Sequence, residues 1–347
     1  MGRKSRVTSM QVARHAGVSR TTVSLVLNNV EKATISNATR QRVFEAAQEL
    51  GYVPDASARA LVQGYSRNIA LVIYQPGQQA FLDPYIPHVL TGITEAAQEQ
   101  GFRVTIEVIR EQKNVNQISQ LLRSGVVDGI ITEQMVGTDE LIDAGLRYDD
   151  PIVISGENPE YQFHSVWVNM ITGQRALIQN LIDMGHDRIA CIPYTSPQKS
   201  RSLTNRLDDF SKQLAQADIT QHEGYMVYGD YRIETAYSAM QQLLKLDRPP
   251  TAVFAMNDSM AFGAIRAIYD AGLSVPGDIA VVGHDNHRNG AWSIPTLTTV
   301  SVPWSDLGSI AASTLIKLIK GQQTPERMVE LETQVIVRES CGTKQAL

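Results

Sequence analysis

Arg20 and Thr21 are the residues of this sequence best placed to read another molecule. They follow Ser19 directly and begin a second short helical pattern, which Gly17-Val18 separates from the first. This pattern is typical of a helix-turn-helix, whose second helix lies in the major groove of DNA. An arginine there can form a bidentate contact with guanine worth roughly 1–3 kcal/mol of discrimination. We expect Arg20 and Thr21 to contact base edges; for Arg20 a phosphate contact or a solvated charge is the alternative.

The same segment carries side chains suited to phosphate contacts, which position a protein on DNA without reading its sequence. Leu25 lies on the second helical pattern and could touch a thymine methyl group or contribute nothing. The candidates for phosphate contacts are Ser19, Thr22, Ser24, Asn28 and Tyr52.

A second group of polar residues follows predicted strands late in the chain. Asp285 comes after the strand pattern 279–282, and Asn257 comes after the pattern 252–254. Ligands of open α/β sheets bind at the carboxyl ends of the strands, so both residues should face a cleft. A carboxylate at Asp285 can accept hydrogen bonds from paired sugar hydroxyls. We expect Asn257 to contact a ligand and Asp258 to cap the next helix.

Charge is distributed unevenly along the 347 residues, whose net charge is −5. Residues 1–67 contain ten Lys or Arg and four Asp or Glu, a net of +6, and the remainder contains 21 and 32, a net of −11. A basic segment on an acidic body is expected where that segment meets phosphates.

The composition excludes several classes of protein. Two cysteines, Cys191 and Cys341, are too few for a disulfide framework and lack metal-ligand spacing. No stretch approaches the ~20 apolar residues of a membrane helix. The charged start does not lead into an apolar signal core. We expect a cytoplasmic protein without a metal or cofactor.

Three helical patterns would position the DNA-reading residues. Thr8 can cap a helix over 10–16, Ser19 a second over 20–28, and Ser36 a third that Gly51 ends. Pro54 then breaks the pattern, and 56–66 form a short linker with helix potential. The residues expected to face inward are Val12, Ala13, Ala16, Val23, Val26, Leu27, Val43, Ala46, Ala47 and Leu50.

From Asn68 onwards strands alternate with helices, which indicates mostly parallel sheets. The chain is long enough for two or three domains. Two α/β units in tandem leave a cleft between them, where ligands bind. Strands are expected at 69–73, 104–108, 129–132, 152–154, 165–168, 189–192, 226–228, 252–254 and 279–282, and helices at 89–100, 117–123, 173–184, 205–217, 235–246 and 259–270.

Segments along nearly the whole chain resemble the LacI/GalR family of bacterial transcription regulators. The head and hinge carry part of this resemblance, and the last third of the chain carries the rest. The matching residues include Val12-Ala13, Ala16 to Ser19, Thr22 to Ser24, Leu50 to Tyr52, Ala58-Arg59, Leu61, Asn257 to Gly263, Ile279 to Asn286 and Pro295 to Thr299.

The resemblance implies an all-α helix-turn-helix headpiece (1–54), a hinge (55–66) and a two-subdomain α/β core (67–347). The core would be of the periplasmic-binding-protein type, with parallel sheets flanked by helices. Its N-subdomain would span about 67–167 and 299–327, and its C-subdomain about 168–298 and 328–347. No heptad repeat follows Ser340, so a homodimer matching a palindromic operator is expected.

In the hinge, the resemblance implies a helix that enters the minor groove. Leu61 would insert between central base pairs, at a cost of a few kcal/mol that DNA bending offsets. Ala58 would flank it on the same helix. The alternative is a plain linker leucine.

In the core, the resemblance implies an effector pocket built from charged and aromatic side chains. Arg206 matches the cleft arginine, although Asp209 replaces the usual small glycine three residues later and puts the local packing in doubt. Asn169 replaces a common aspartate, and Arg201 is a second candidate cation. The aromatic candidates are Tyr231, which would stack on the effector, and Tyr74, Tyr85 and Trp304 on the opposite wall.

These features predict a sequence-specific DNA-binding regulator, a repressor, that a small molecule releases from its operator. A sugar or sugar derivative is the expected effector. The alternatives are control by a corepressor (a purine, a nucleoside or a partner protein) and, with less support, a solute-binding protein without a DNA role. An enzyme is not expected, because the sequence lacks a Gly-x-Ser-x-Gly motif, a Walker loop and a His-x-x-x-His pair.

Overall fold

The computed structural model describes residues 7–27, 35–52, 65–74, 85–110, 116–133, 138–156, 162–194, 201–324 and 326–342. Within these ranges the head of the chain contains three helices: α1 (Ser9–Ala16), α2 (Arg20–Leu27) and α3 (Asn37–Glu49). All three lie where the sequence predicts them.

Side-chain caps and one glycine determine where the head helices begin and end. Thr8 and Ser36 cap α1 and α3 as expected. Ser19 begins α2, because its Oγ accepts the backbone N–H of Thr22 at 3.0 Å. Gly17 ends α1 with φ 64°, a left-handed conformation that a residue with a Cβ rarely adopts. The turn between α1 and α2 therefore depends on this glycine.

The three head helices share one small apolar core, in which α1, α2 and α3 each bury one face. Leu27 and Leu50, expected inside, are partly buried at its edge. The buried members are Val12, Ala13, Ala16, Val23, Val26, Val43, Ala46 and Ala47.

The rest of the described chain forms two sheets, and α-helices connect most but not all of the successive strands. The strands are β1 (Asn68–Tyr74), β2 (Arg103–Ile109), β3 (Gly129–Glu133), β4 (Ile152–Ser155), β5 (His164–Asn169), β6 (Ile189–Ile192), β7 (Ala252–Ala255), β8 (Ala280–His284), β9 (Thr298–Ser301), β10 (Met328–Glu332) and β11 (Gln334–Ile336). The helices are α4 (Tyr85–Glu99), α5 (Asn116–Arg123), α6 (Thr138–Asp143), α7 (Met170–Asp183), α8 (Arg201–Gln216), α9 (Ile233–Leu244), α10 (Asp258–Asp270) and α11 (Trp304–Ile319). No helix among them is long and apolar enough to cross a lipid bilayer.

The first sheet has the strand order β10-β5-β4-β3-β1-β2, and the second has the order β11-β9-β8-β7-β6. Pairing is parallel throughout the second sheet except between β9 and β11. We call each sheet with its helices a lobe. The chain passes from the first lobe to the second after β5, returns to the first between β9 and α11, and passes to the second again between β10 and β11. The strands β5 and β10 belong to the first sheet, β9 and β11 belong to the second, and α11 packs on the first sheet.

Two expected subdomain boundaries are wrong at the strand level. Residues 299–301 belong to the second sheet, because β9 pairs with β8 and β11. Residues 328–332 belong to the first sheet, because β10 pairs with β5. The sequence of these short strands does not show which neighbour they join, since backbone pairing decides it.

The expected strand 226–228 is reduced to two isolated bridges, Cys191 with Met226 and Tyr194 with Gly229. Pro193 lies between the two bridges on the β6 side and has no backbone N–H to donate. The ladder is therefore interrupted where a strand would need it to continue.

Glycines allow α4 and α11 to pack with their backbones close together. A Cβ at Gly92 would lie 1.8 Å from the carbonyl oxygen of Ser305, and a Cβ at Gly308 would lie 2.1 Å from that of Val89. Because the opposing atoms belong to the backbone, neither side can rotate away. The packing of the first lobe depends on these two positions.

We expect Gly92→Ala to lower the thermal midpoint of the core by several degrees. Overpacking costs typically about 1–3 kcal/mol, and here the two helices must separate. Differential scanning fluorimetry measures the midpoint. The matched control is Thr91→Ala, an exposed residue of the same helix that donates only to the Pro87 carbonyl (2.8 Å). Equal midpoints for the two variants would contradict the close packing.

Candidate functional site

Asp285 lies directly after β8, at the carboxyl end of the second sheet, as predicted. Its Oδ1 is 3.1 Å from Nδ1 of His284, and its backbone N–H donates to the carbonyl of Val300 at 2.8 Å. Asp285 and Asn286 both have positive φ, 107° and 52°. Such strained conformations in residues with a Cβ cluster at ligand sites. The loop after β8 is therefore held in a costly conformation that presents Asp285.

The charge state of this cluster follows from its burial. Burial raises the pKa of Asp285 to about 7, and the nearby Arg206 guanidinium opposes that rise. Burial also lowers the pKa of His284 well below its usual value, and the Arg206 charge adds to the effect. His284 is therefore neutral near pH 7, and Arg206 is the cation that faces Asp285.

Arg206 lies on α8 with only 4% of its surface exposed. Its Nε donates to Oε1 of Gln174 at 3.0 Å, while its buried Nη2 has no hydrogen-bond partner among the described residues. A buried guanidinium nitrogen without a partner is costly, and such groups mark binding sites. The position of Arg206 in the ligand cleft, which the family resemblance implies, stays a prediction.

Trp304 and Tyr85 form an aromatic pair on the first lobe, as expected for one wall of the cleft. Their rings meet edge to face with centroids 4.6 Å apart, and the Tyr85 hydroxyl lies 3.2 Å from Oγ of Ser155. The indole N–H of Trp304 is buried without a well-formed hydrogen bond, yet it is close enough to Asp285 to lower the pKa of that carboxyl slightly. Trp304 and Asp285 therefore face each other across the two lobes.

Tyr231 forms a second aromatic pair, with Tyr194, on the second lobe. The two rings are stacked, with centroids 4.2 Å apart. Tyr231 is 37% exposed and has φ 70°. The amide of Asn257 donates to the Tyr231 carbonyl at 3.4 Å. One ring face of Tyr231 is covered by Tyr194.

A cavity of about 200 Å³ lies beside Asp285 and Trp304. Its walls include His88 from α4 and Asp306 from α11 on the first lobe, and Asn286 from the loop after β8 on the second. Carboxylates, an imidazole, an amide and an indole in one small cavity can bind a ligand that carries several hydroxyl groups.

The residue expected to cap α10 was Asp258, and this prediction is wrong. The cap is Asn257, whose Oδ1 accepts the backbone N–H of Met260 at 2.7 Å. Asp258 is buried and accepts the hydroxyl of Thr299 and the backbone N–H of His287, both at 2.6 Å. Burial, then the charge of Asp285, raises the pKa of Asp258 to about 8.

Asn169 caps the start of α7. Its Oδ1 accepts the backbone N–H groups of Ile171 and Thr172 at 3.2 Å, and its Nδ2 donates to Glu330 at 2.7 Å. Both ends of the amide are thus engaged at the crossing between lobes. The carboxylate of Asp209 is accommodated by Arg175: the single N–H of Nε is shared between its two oxygens, at Nε–O distances of 2.8 and 3.0 Å, and Nη2 also donates to Oδ1.

Several predicted site residues lie outside the described residues. For the head and hinge they are Asn28, Ala58 and Leu61, and for the pocket they are the side chains of Tyr74 and Arg201.

The start of α2 presents the predicted DNA-contacting residues on the surface of the head. Ser19, Arg20 and Thr21 are exposed, and Nε of Arg20 donates to Oγ of Ser9 at 3.1 Å. Thr22, Ser24 and Leu25 are partly buried, and Tyr52 packs against the head core.

Three residues near the site were absent from the sequence prediction. Tyr194 comes two residues after β6, the same signal that identified Asp285. Gln174 occupies a position of the apolar repeat that continues with Leu177, Ile178 and Leu181, so a polar residue there could have drawn notice. His88 is on α4 and gave no signal.

A helical head with an exposed arginine at the start of its second helix, on a chain whose two-lobed core holds a polar cleft, defines a ligand-responsive DNA-binding regulator. Two family profiles match: "Bacterial regulatory proteins, lacI family" over residues 10–55 and "Periplasmic binding protein-like domain" over residues 178–341. The chain belongs to the LacI family of transcriptional regulators.

Curated relatives span the full chain. The HTH-type transcriptional regulator CelR of Thermobifida fusca is 34% identical over 98% of this chain and 100% of its own. The HTH-type transcriptional repressor CytR of Escherichia coli (strain K12) is 31% identical over 98% of this chain and 97% of its own.

Solved structures agree with the fold. A complex of CelR with cellobiose is 32% identical, covers 96% of this chain and 100% of its own, and has a TM-score of 0.69. A lac repressor dimer bound to operator and the anti-inducer ONPF is 26% identical, covers 97% of this chain and 99% of its own, and has a TM-score of 0.83.

We expect Asp285→Asn to stabilise the core more at pH 8 than at pH 5. Unfolded aspartate ionises near 3.8 but folded Asp285 near 7. Because the folded pKa is raised, the free energy of unfolding of the wild type falls as the pH rises from 3.8 to about 7. The amide that Asp285→Asn introduces does not titrate. Thermal midpoints measured at both pH values test this.

The control is Asp278→Asn, because a hydrogen bond from Ser274 lowers the pKa of that exposed carboxyl. It should give no gain at pH 8. An Asp285→Asn gain that is equal at the two pH values would contradict the raised pKa.

Proposed function

We propose that this chain is a transcriptional repressor that binds a palindromic operator as a homodimer and is released by a sugar-type ligand. The observation that carries the proposal is the buried Arg206, whose Nη2 has no partner among the described residues and whose charge acts on Asp285, with Trp304 facing Asp285 from the other lobe. This grouping sits on a chain that also has a basic helix-turn-helix head. The relatives are transcriptional regulators, which supports a role in binding rather than in catalysis.

In the proposed operator complex, the exposed start of α2 enters the major groove. Arg20 and Thr21 contact base edges, and Leu25 touches a thymine methyl group or contributes nothing. Arg20 would exchange its hydrogen bond to Ser9 for one to guanine. The residues proposed for phosphate contacts are Ser19, Thr22, Ser24, Asn28 and Tyr52, and those proposed for the minor groove are Ala58 and Leu61.

The proposed ligand is a sugar because the site combines charged hydrogen-bonding groups with aromatic rings. Asp285 accepts from hydroxyl groups, Arg206 donates to an oxygen, and Tyr231 stacks on a ring. The CelR relative has been solved with cellobiose, which supports a small oligosaccharide. Asn257, Tyr85 and Trp304 complete the pocket, with Tyr74 and Arg201 as further candidates. Asn169 remains a candidate as well, and like Asn257 it also caps a helix.

Release is proposed to follow from a shift between two arrangements of the lobes. A ligand that touches Asp285 on one lobe and Trp304 on the other favours the arrangement in which both contacts form. The lobes are joined by three chain crossings, so the change is transmitted to both halves of the core.

We expect Arg20→Ala to reduce discrimination between operator and unrelated DNA by roughly 10- to 100-fold, since one bidentate base contact is worth about 1–3 kcal/mol. The operator is first selected from random duplexes, and binding is then measured by fluorescence anisotropy at fixed salt. The charge-matched control is Arg42→Ala, an exposed arginine of α3. It should weaken both affinities without changing their ratio; equal loss of the ratio in both variants would exclude base reading by Arg20.

We expect cellobiose to raise the thermal midpoint of the wild-type protein and to release it from the selected operator. Asp285→Ala should abolish both effects, whereas Asp208→Ala, an exposed aspartate of α8, should preserve them. A purine or nucleoside that instead tightens operator binding would replace release by corepression. If no small molecule tested changes the thermal midpoint or operator binding, the result would indicate a partner protein as the regulator.

A further inference from the structure

A buried glutamine of α7, Gln174, joins that helix to Arg206 on α8. Gln174 of α7 has no exposed surface. Its Oε1 accepts Nε of Arg206 at 3.0 Å, and its Nε2 donates to the Arg206 backbone carbonyl at 2.8 Å. The side chain thus binds both the backbone and the guanidinium of a single residue. A bond to a charged donor is worth more than a neutral one, and burial strengthens it further.

These two contacts leave the end of the guanidinium for other partners. Nη2 of Arg206 is buried and has no partner among the described residues. The Arg206 charge acts on both Asp285 and His284, so the guanidinium lies within electrostatic range of both, although among the described residues no hydrogen bond or ion pair joins it to either. Within the same described residues, Gln174 forms no hydrogen bond with Asp285 or His284. Any effect of Gln174 on Asp285 therefore passes through Arg206.

The backbone next to Gln174 is fixed at a crossing between lobes. The backbone N–H of Gly173 donates to Oγ1 of Thr333 at 2.8 Å, and that hydroxyl donates to the carbonyl of Asn169 at 2.9 Å. A Cβ at Gly173 would lie 2.6 Å from Thr333 Oγ1, so α7 meets the crossing without space between them. Gln174 thus has a rigid base from which to hold Arg206.

We propose that Gln174 is a positioning residue that fixes the Arg206 guanidinium in the absence of ligand, so that the ligand meets a donor, Nη2 of Arg206, that is already in place. This inference rests on the proposed function for its ligand, but the arrangement itself can be tested without one.

The first test follows the fluorescence of Trp304 against pH. Trp167→Phe and Trp292→Phe leave Trp304 as the only tryptophan, and it faces Asp285. In this double variant the fluorescence of Trp304 should change in a transition near pH 7, and adding Asp285→Asn should remove that transition. The charged or titratable groups that face Asp285 are Arg206, His284 and Asp258, with His88 and Asp306 lining the same cavity.

Gln174→Met keeps the side-chain length and removes both hydrogen bonds. The transition should move to higher pH, toward that of Arg206→Gln, because a released guanidinium no longer lowers the pKa of Asp285. The matched control is Gln213→Met, which removes another hydrogen bond between the same helices, from Nε2 to the Arg175 carbonyl (2.8 Å). It should leave the transition unchanged. A transition that stays at the wild-type pH in Gln174→Met, or that Asp285→Asn does not remove, would overturn the proposal.

If Gln174→Met does not fold, Gln174→Glu provides the second variant. It retains an acceptor for Nε but places a negative charge beside Arg206, so the transition must again move to higher pH. An unchanged transition would mean that position 174 does not lie against Arg206 in solution.

Calorimetry with cellobiose supplies the second readout. We expect Gln174→Met to weaken binding about tenfold, the size of effect of one lost charged hydrogen bond, and Gln213→Met to preserve it. If wild-type protein does not bind cellobiose, the proposed sugar ligand fails while the fluorescence result still decides the role of Gln174. Cellobiose binding that is equal in Gln174→Met and wild type would overturn the positioning role.

Discussion

The buried carboxylate of Asp258 is the constraint on which the proposed ligand site depends. It accepts the hydroxyl of Thr299 from β9 and the backbone N–H of His287 from the loop after β8, both at 2.6 Å. Gly283 makes this possible, because a Cβ there would lie 2.2 Å from Oδ1 of Asp258. Asp258, the first residue of α10, thus links the loop that carries Asp285 to β9. This tie acts together with the hydrogen bond from the Asp285 backbone N–H to the Val300 carbonyl, at 2.8 Å, in holding Asp285 at its unfavourable φ.

This arrangement concentrates electrostatic cost in one place. Two carboxylates, Asp258 and Asp285, are buried close enough that the charge of one raises the pKa of the other. Two arginines compensate only in part: Arg206 lowers the pKa of Asp285 and Arg338 that of Asp258, while among the described residues Nη2 of Arg206 has no partner. Buried, incompletely paired charges destabilise a fold, and they persist where a ligand completes the pairing. The apolar cores of the two sheets and the close packing of α4 on α11 offset that cost away from the site.

The sequence predicts local structure well and long-range pairing poorly. The helix caps at Thr8, Ser19 and Ser36 depend on residues within one turn, so the head helices were predicted almost to the residue. The membership of β9 and β10 in particular sheets depends on partners far along the chain, and no local pattern encodes it. At the site, Asp285 and Arg206 were predicted, whereas the cap formed by Asn257 was assigned to its neighbour. Asn257 and Asp258 are both polar residues that follow β7, so the sequence alone does not show which of them caps the helix.

The division of the site between the lobes sets the condition that any effector must meet. Asp285 and Tyr231 belong to loops of the second lobe, while Tyr85 and Trp304 begin helices of the first. A ligand that contacted only one pair would bind every arrangement of the lobes equally and could shift none of them. Regulation therefore requires a ligand long enough to reach both pairs at once. A molecule with several hydroxyl groups along a rigid ring skeleton meets this requirement better than a single small anion, because its contacts lie at fixed separations.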